Sequence, residues 1–352
     1  MDENKKEKKM SKAKKIVMIT MVSVLGAVLT ISLVFFLIIY GYINKMNLES
    51  PNDSDDFVID ESALLEPDDT SLDDSPLDEI ERIDNRILEN ANNNDGPYHD
   101  TDVLNILLIG TDNRASNERG RSDAMILVSI NKKTESIIMT SILRDIYLDI
   151  PGLANNNRLN AAYAYGGTDM LVKTIEQNFK IKIDKYARVD FDAFVDAIDA
   201  VGGIEINLTN EEVKYMTNKG AVLKPTGNGS YKLDGKQALM YARIRYIGTD
   251  FGRTARQRTI LNKLFVKARG LNPIQMNGLL NKILPMVTTD FNEREIFTQI
   301  ISAPAYLKFD VQQGCIPMEG TYENLRIRKM QVLGIDFEKN IQALHGKIYG
   351  VN

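Results

Sequence analysis

The sequence predicts an α/β protein, a layered mixed β-sheet flanked by helices, preceded by one N-terminal transmembrane helix. Three observations carry this. Near-continuous apolar runs bounded by turn residues, such as VLNILLIG at 103–110, alternate with longer stretches whose apolar residues recur at helical spacing, which is the pattern of strands and helices stacked in layers. A hairpin-like turn at Lys132-Lys133-Thr134 makes the sheet mixed. From Ile16 to Ile43 there are 28 residues without a charge, roughly 42 Å of helix against about 30 Å of bilayer hydrocarbon.

Residues 1–15 form a basic tail. Lys5, Lys6, Lys8, Lys9, Lys12, Lys14 and Lys15 precede the apolar run and only Lys45 follows it closely, so the tail is expected in the cytoplasm and the remainder of the chain outside the cell. The run 16–43 is about twice the length of a signal-peptide core and ends in bulky residues rather than at a small-residue cleavage site, so it reads as an uncleaved, single-pass signal anchor in the cell membrane. Residues 44–102 are expected to be a mostly disordered acidic linker, with LDEIERIDNRIL as its one apolar segment. Charge separates these blocks. Residues 1–50 hold eight Lys against four acids, residues 51–100 two Arg against seventeen acids, and residues 101–352 have 33 bases against 27 acids.

The main domain is expected over 103–270, with a C-terminal helical extension, 271–352, packed on it. Strands are read at Val103–Gly110, Ala124–Ile130 and Ser136–Ser141, flanked at one end by Asp112 and Arg114, Asp123, and Arg144 and Asp145. Ligands of open α/β sheets commonly sit at such strand ends, which makes these residues site candidates; the alternative is that each Asp only forms a turn. A helix capped by Thr168, a strand Lys182–Val189, a helix Phe191–Val201 capped by Asp190 and a strand Ile204–Leu208 follow. Later come helices at Pro273–Leu284 and Asn292–Leu307, a strand near Gly314–Met318 and a last helix from Asp336 to Ile348.

The stretch 233–258 stands apart. Arg243, Arg245, Arg253, Arg256 and Arg258 face one acid, Asp250, within sixteen residues. A helix capped by Thr254 is expected to carry an apolar stripe, Ile260, Leu261, Leu264, Phe265 and Ala268, to Gly270. Arginine forks at a helix N-terminus suit a phosphate-like anion. A solvated basic helix end is the simpler reading of an arginine pair, and five on two adjoining elements favour the anion. The apolar strands and the 260–268 stripe line a lipid slot or pack as core, and both readings stand at this stage. One cysteine, Cys315, and two histidines, His99 and His345, leave no disulfide framework and argue against His-based metal sites and Ser-His or Cys-His nucleophiles. A metal would then sit on carboxylates, as a hard ion such as magnesium does. Few stacking aromatics and an exterior location exclude a nucleic acid partner.

Read together, NILLIGTDNR at 105–114, RSDAMILVSIN at 121–131, SILRD at 141–145, RLNAAYAYGG at 158–167, VDFDAF at 189–194, IDAVGGIEI at 198–206, LDGKQALMYARIRY at 233–246 and DFGRTARQR at 250–258 resemble the LytR-CpsA-Psr family of bacterial cell-wall glycopolymer transferases. The resemblance implies a phosphotransferase that moves a glycopolymer of teichoic acid or capsular polysaccharide type from an undecaprenyl-pyrophosphate carrier to a peptidoglycan sugar hydroxyl. It further implies that Asp112 and Asp123 hold Mg2+ and that Arg114, Arg144, Arg158, Arg243, Arg245, Arg253, Arg256 and Gln257 bind the pyrophosphate. Arg256 and Arg258 lie roughly 200° apart on a helix, so one of them faces the site; the resemblance selects Arg256. Leu143 stands where the family usually has proline. A membrane-anchored polymer binder and a prenyl-pyrophosphate hydrolase are the competing functions.

Overall fold

The computed structural model describes residues 30, 37–49, 74–93, 95–111, 122–224 and 227–350. The chain divides into two compact units, Met1–Lys45 and Met46–Asn352. In the first, residues 37–43 are helical. The rest of the expected span 16–43, residue 30 apart, lies outside the described residues, and among the described residues no helix is long and apolar enough to cross a membrane.

The second unit is built on a seven-stranded mixed sheet. In chain order its strands are β1 (Asn47–Leu48), β2 (Val103–Thr111), β3 (Ser122–Asn131), β4 (Ser136–Ile142), β7 (Lys185–Val189), β10 (Thr288–Thr289) and β11 (Asp310–Ile316). They lie in the order β1-β10-β7-β2-β3-β4-β11. The hairpins β2-β3 and β3-β4 are antiparallel, and β7 and β11 add in parallel to β2 and β4. Three two-stranded ribbons complete the strands: β5 (Tyr147–Leu148) with β6 (Asn157–Arg158), β8 (Ile204–Leu208) with β9 (Gly229–Leu233), and β12 (Tyr322–Ile327) with β13 (Met330–Ile335).

The central strand β2 alternates strictly, because side chains of a strand point to opposite faces in turn. Val103, Leu107 and Ile109 enter the largest core, beneath α2 (Leu159–Phe179) and α9 (Phe337–Tyr349). Leu104, Ile106 and Leu108 face the other side and are only half-buried. There they meet Leu261 and Phe265 of α6 (Asp250–Arg269) and Tyr306 of α8 (Glu293–Tyr306). A separate lobe with its own core gathers α3 (Phe191–Ala200), β8-β9, α4 (Asn210–Asn218), α5 (Gly235–Ala242) and α7 (Pro273–Ile283). Gly235 is needed where α5 meets α3, since a Cβ there would collide with the Val195 carbonyl.

Three expectations are corrected. The acidic segment 44–102 is not wholly a spacer, since β1 joins the sheet edge and α1 (Leu77–Asn92) buries Ile83 and Ile87 in the main core. Arg82 donates to Glu323 of β12 (2.7 Å), and Lys180 Nζ donates to the Asn90 and Asn93 carbonyls (2.9 Å each) at the α1 C-terminus. The segment after residue 270 is not purely helical, because beside α7, α8 and α9 it supplies β10 and β11 to the main sheet. The basic helix starts at Asp250 after Thr249 and not at Thr254, so Arg253 and Arg256 lie inside its first two turns.

Candidate active site

The C-terminal end of β4 and the start of β3 meet because these strands pair antiparallel. That juxtaposition brings Arg144 to Asp123, with Nη1 donating to Oδ1 at 2.7 Å. Leu143 is fully buried and its N–H donates to the Ile316 carbonyl at 2.9 Å, a bond that a proline there would lack. The Leu143 amide therefore ties β4 to β11 and fixes the path to Arg144. Asp145 accepts from Arg158 Nη1 (3.4 Å) and lies 3.6 Å from Arg144 Nε, which extends the chain of charges to β6.

The lobe supplies the other side. Arg243 is the C-cap of α5, exposed, with its guanidinium 4.8 Å from the Phe191 ring centre. Arg245 follows in the loop between α5 and α6, half-exposed, with Nη2 3.9 Å from Asp123 Oδ2. Arg253 comes from the first turn of α6 and is almost fully buried. Its Nη2 donates to Asp250 (2.9 Å) and lies 3.5 Å from the Asp123 carbonyl, while its Nε has no hydrogen-bond partner among the described residues. Arg144, Arg245 and Arg253 thus converge on Asp123 from three elements, the first two at its carboxylate and the third at its main-chain carbonyl. Burial tends to raise the Asp123 pKa, but the charges of Arg144, Arg253 and Arg245 with the Arg144 hydrogen bond outweigh it, so the carboxyl titrates below the ordinary range. Arg253 is shifted down from its usual value, first by desolvation and then by Arg144 and Arg245, against the pull of Asp250 and Asp123. Among the described residues, Arg144, Arg158, Arg245 and Arg253 stand against Asp123, Asp145 and Asp250, an excess of positive charge that suits an incoming anion.

Arg256 is placed elsewhere than the sequence reading put it. Its Nε donates to Glu212 of α4 at 2.8 Å, and its Nη1 and Nη2 donate to the Ile244 (3.2 Å) and Ile247 (2.7 Å) carbonyls. It holds the 244–247 loop that carries Arg245 and does not join the ring around Asp123. Arg258 is buried toward Cys315, and its Nε and Nη1 have no hydrogen-bond partner among the described residues. Gln257 is half-buried, and its Oε1 has no partner among the described residues. Asp112 and Arg114 lie outside the described residues. Among the described residues no group of three His, Cys, Asp or Glu gathers to hold a metal. The ionised oxygens of Asp123 nonetheless have the donor chemistry a hard cation takes.

The arginine ring lies at the end of the half-buried apolar face. Leu104, Ile106, Leu108 and Val128 occupy the two central strands of that face, with Leu261 and Phe265 of α6 packed on it. The expected helix stripe is split, since Ile260 and Leu264 enter the lobe core while Leu261 and Phe265 cover the sheet.

The model of the LytR_cpsA_psr family matches residues 74–343. The chain belongs to this family. It is 33% identical over 224 residues to the polyisoprenyl-teichoic acid–peptidoglycan teichoic acid transferase TagU of Bacillus cereus, covering 63% of this chain and 71% of TagU. Biofilm regulatory protein A of Streptococcus mutans is 37% identical over 188 residues, 50% of this chain and 46% of that protein. The structure of TagT bound to LIIa-WTA shares the fold with a TM-score of 0.59 and 25% identity over 72% of this chain and 92% of TagT. As a member of the LytR_cpsA_psr family the chain includes α1 and the strands beyond residue 270 in its matched domain, which agrees with their packing.

Proposed function

We propose that this protein transfers a glycopolymer of teichoic acid or capsular polysaccharide type from an undecaprenyl-pyrophosphate carrier to a peptidoglycan sugar hydroxyl, at the outer face of the membrane to which residues 16–43 anchor it. The observation that carries this is the convergence of Arg144, Arg245 and Arg253 on Asp123 at the end of an apolar, half-buried sheet face. A pyrophosphate carries charge for the arginines, and a prenyl chain needs an apolar bed of this kind. The name of the TagU relative joins a polyisoprenyl carrier to peptidoglycan, and TagT is bound to LIIa-WTA.

Phosphoryl transfer asks mainly for positioning and charge neutralisation. The acceptor hydroxyl oxygen bonds to the phosphorus that bears the polymer, and the bond from that phosphorus to the bridging oxygen of the lipid phosphate breaks, its electron pair leaving with the lipid phosphate. Arg245 stabilises the charge that builds on the phosphoryl oxygens, and Arg253, buried and paired with Asp250, adds its positive field from behind. Arg144 orients Asp123 and, through Asp145, is itself held by Arg158. With its pKa held down, Asp123 is a poor general base. The leaving phosphate, whose second pKa is about 6, is the better acceptor for the hydroxyl proton. Asp123 and Asp112 would hold Mg2+, which when bound neutralises pyrophosphate charge.

Purified full-length protein, given lipid-linked polymer and peptidoglycan, should form polymer–peptidoglycan linkages. Release of free polymer with acceptor present would mark a hydrolase, and donor binding without either product a regulator; each overturns the transfer reading. Asp112→Asn and Asp123→Asn should each abolish magnesium-dependent turnover in the same assay, and full wild-type activity in chelator would remove the metal from the mechanism.

A further inference from the structure

Next to the arginine ring, on the side of the α5–α6 loop that belongs to the lobe, lies a groove of about 800 Å³, within the roughly 300–1,000 Å³ typical of ligand sites. The end of β8 with Asn207 and the first turn of α4 with Asn210 and Glu211 give one wall. The tip of β9 brings Asn228, and the loop between α5 and α6 closes it with Ile247 and Gly248. Its character differs from that of the neighbouring ring. Among the described residues that line it the one cation is Arg256, whose guanidinium is taken by Glu212 and two carbonyls, so the groove offers an anion no free positive charge. It offers amides, a carboxylate and apolar carbon instead.

Two tyrosines sit on the elements that line the groove, Tyr246 next to Ile247 in the α5–α6 loop and Tyr215 on α4. Tyr246 follows Arg245 and precedes Ile247; it is 86% exposed, and no core packing accounts for it. Its ring centre lies 6.3 Å from that of Tyr215, which stands one turn of α4 beyond Glu211. Aromatic faces beside amide and carboxylate side chains are what a sugar ring requires, a flat apolar surface for its C–H face and donors and acceptors for its hydroxyls and acetamido groups. The same short loop turns Arg245 toward Asp123 and presents Tyr246 outside, so a ring seated on Tyr246 lies one residue from the anion site.

We propose that this groove seats the acceptor glycan strand of peptidoglycan, with Tyr246 as its stacking platform and Asn207, Asn210 and Glu211 as hydrogen-bonding partners. This rests on the transfer reading above. In-line displacement sets the side: the nucleophile approaches opposite the leaving group. The leaving lipid phosphate belongs with the apolar sheet face, whereas the groove is walled by the lobe, which has a core of its own.

The test uses full-length protein in detergent, lipid-linked donor and soluble, uncrosslinked peptidoglycan glycan fragments. Tyr246→Ala should raise KM for the fragment about tenfold, the scale of a lost aromatic contact, with kcat and donor KM kept within about twofold. Tyr246→Phe should restore KM, and Asn207→Ala should raise it in the same direction. Calorimetric titration of the fragment without donor should show the same loss of affinity, which keeps the groove testable if wild-type protein forms no linkage at all. Unchanged fragment affinity and KM in both Tyr246→Ala and Asn207→Ala would overturn the assignment. So would a rise confined to donor KM, which would put the donor polymer in the groove.

Discussion

Arg245→Ala is expected to lower transfer turnover by about 10²- to 10³-fold with no change in unfolding midpoint, the cost of removing one donor aimed at developing charge. Among the described arginines around Asp123, Arg245 has the freest guanidinium. Its side chain is 51% exposed, and its approach to Asp123 Oδ2, at 3.9 Å, is longer than a hydrogen bond. It is therefore available to a pyrophosphate oxygen in a way that Arg144 is not, since Arg144 is buried and spends its shortest bond on Asp123. Arg245→Lys should recover little, because an ammonium cannot bridge two phosphoryl oxygens with a planar fork. Arg243, stacked over Phe191 and exposed, is expected to matter less than Arg245. Turnover of purified variants at saturating donor decides this. Wild-type rates for Arg245→Ala would mean that the loop cation is a solvated charge.

Much of this arrangement was legible in the sequence. The strands β2 to β4 declare themselves as apolar runs closed by turn residues, and the polar residues at their ends fall together once the hairpins pair. The α3 cap is equally plain, with Asp190 accepting from the Ala193 amide at 2.8 Å. What stayed hidden is local chemistry that breaks a usual sign. The β12-β13 hairpin turns through Arg328 and Lys329, both at positive φ (50° and 63°), where a two-residue turn ordinarily takes Asn or Gly. No turn signal marks it. Helix α1 was masked by its acids, although Ile80, Ile83 and Ile87 keep a helical spacing that a periodicity reading detects. The split of the α6 stripe between two cores, and the turn of Arg256 away from the site, follow from contacts with a lobe distant in sequence. Helix periodicity places Arg256 and Arg258 on different sides but cannot say which side meets which neighbour.

The buried Arg256–Glu212 pair yields the largest expected effect on stability. Both side chains are over 90% buried, 8% and 9% exposed, and the pair joins α6 to α4 across 44 residues of sequence. Truncating either partner leaves the other as an uncompensated buried charge, which typically costs about 3–5 kcal/mol. Arg256→Ala also releases the Ile244 and Ile247 carbonyls, so it should be the more damaging of the two and should loosen the loop that presents Arg245. Glu212→Ala and Arg256→Ala are both expected to lower the urea midpoint strongly, and the double variant should lose much less than the sum of the two, since no orphaned charge remains. Turnover measured where Arg256→Ala is still folded should fall through weakened positioning of Arg245, and Arg256→Lys should recover part of it by keeping the charge beside Glu212. A loss of turnover in Arg256→Ala with an unchanged urea midpoint would instead place this guanidinium on the substrate, and the assignment of Arg256 as the brace of the catalytic loop would fall.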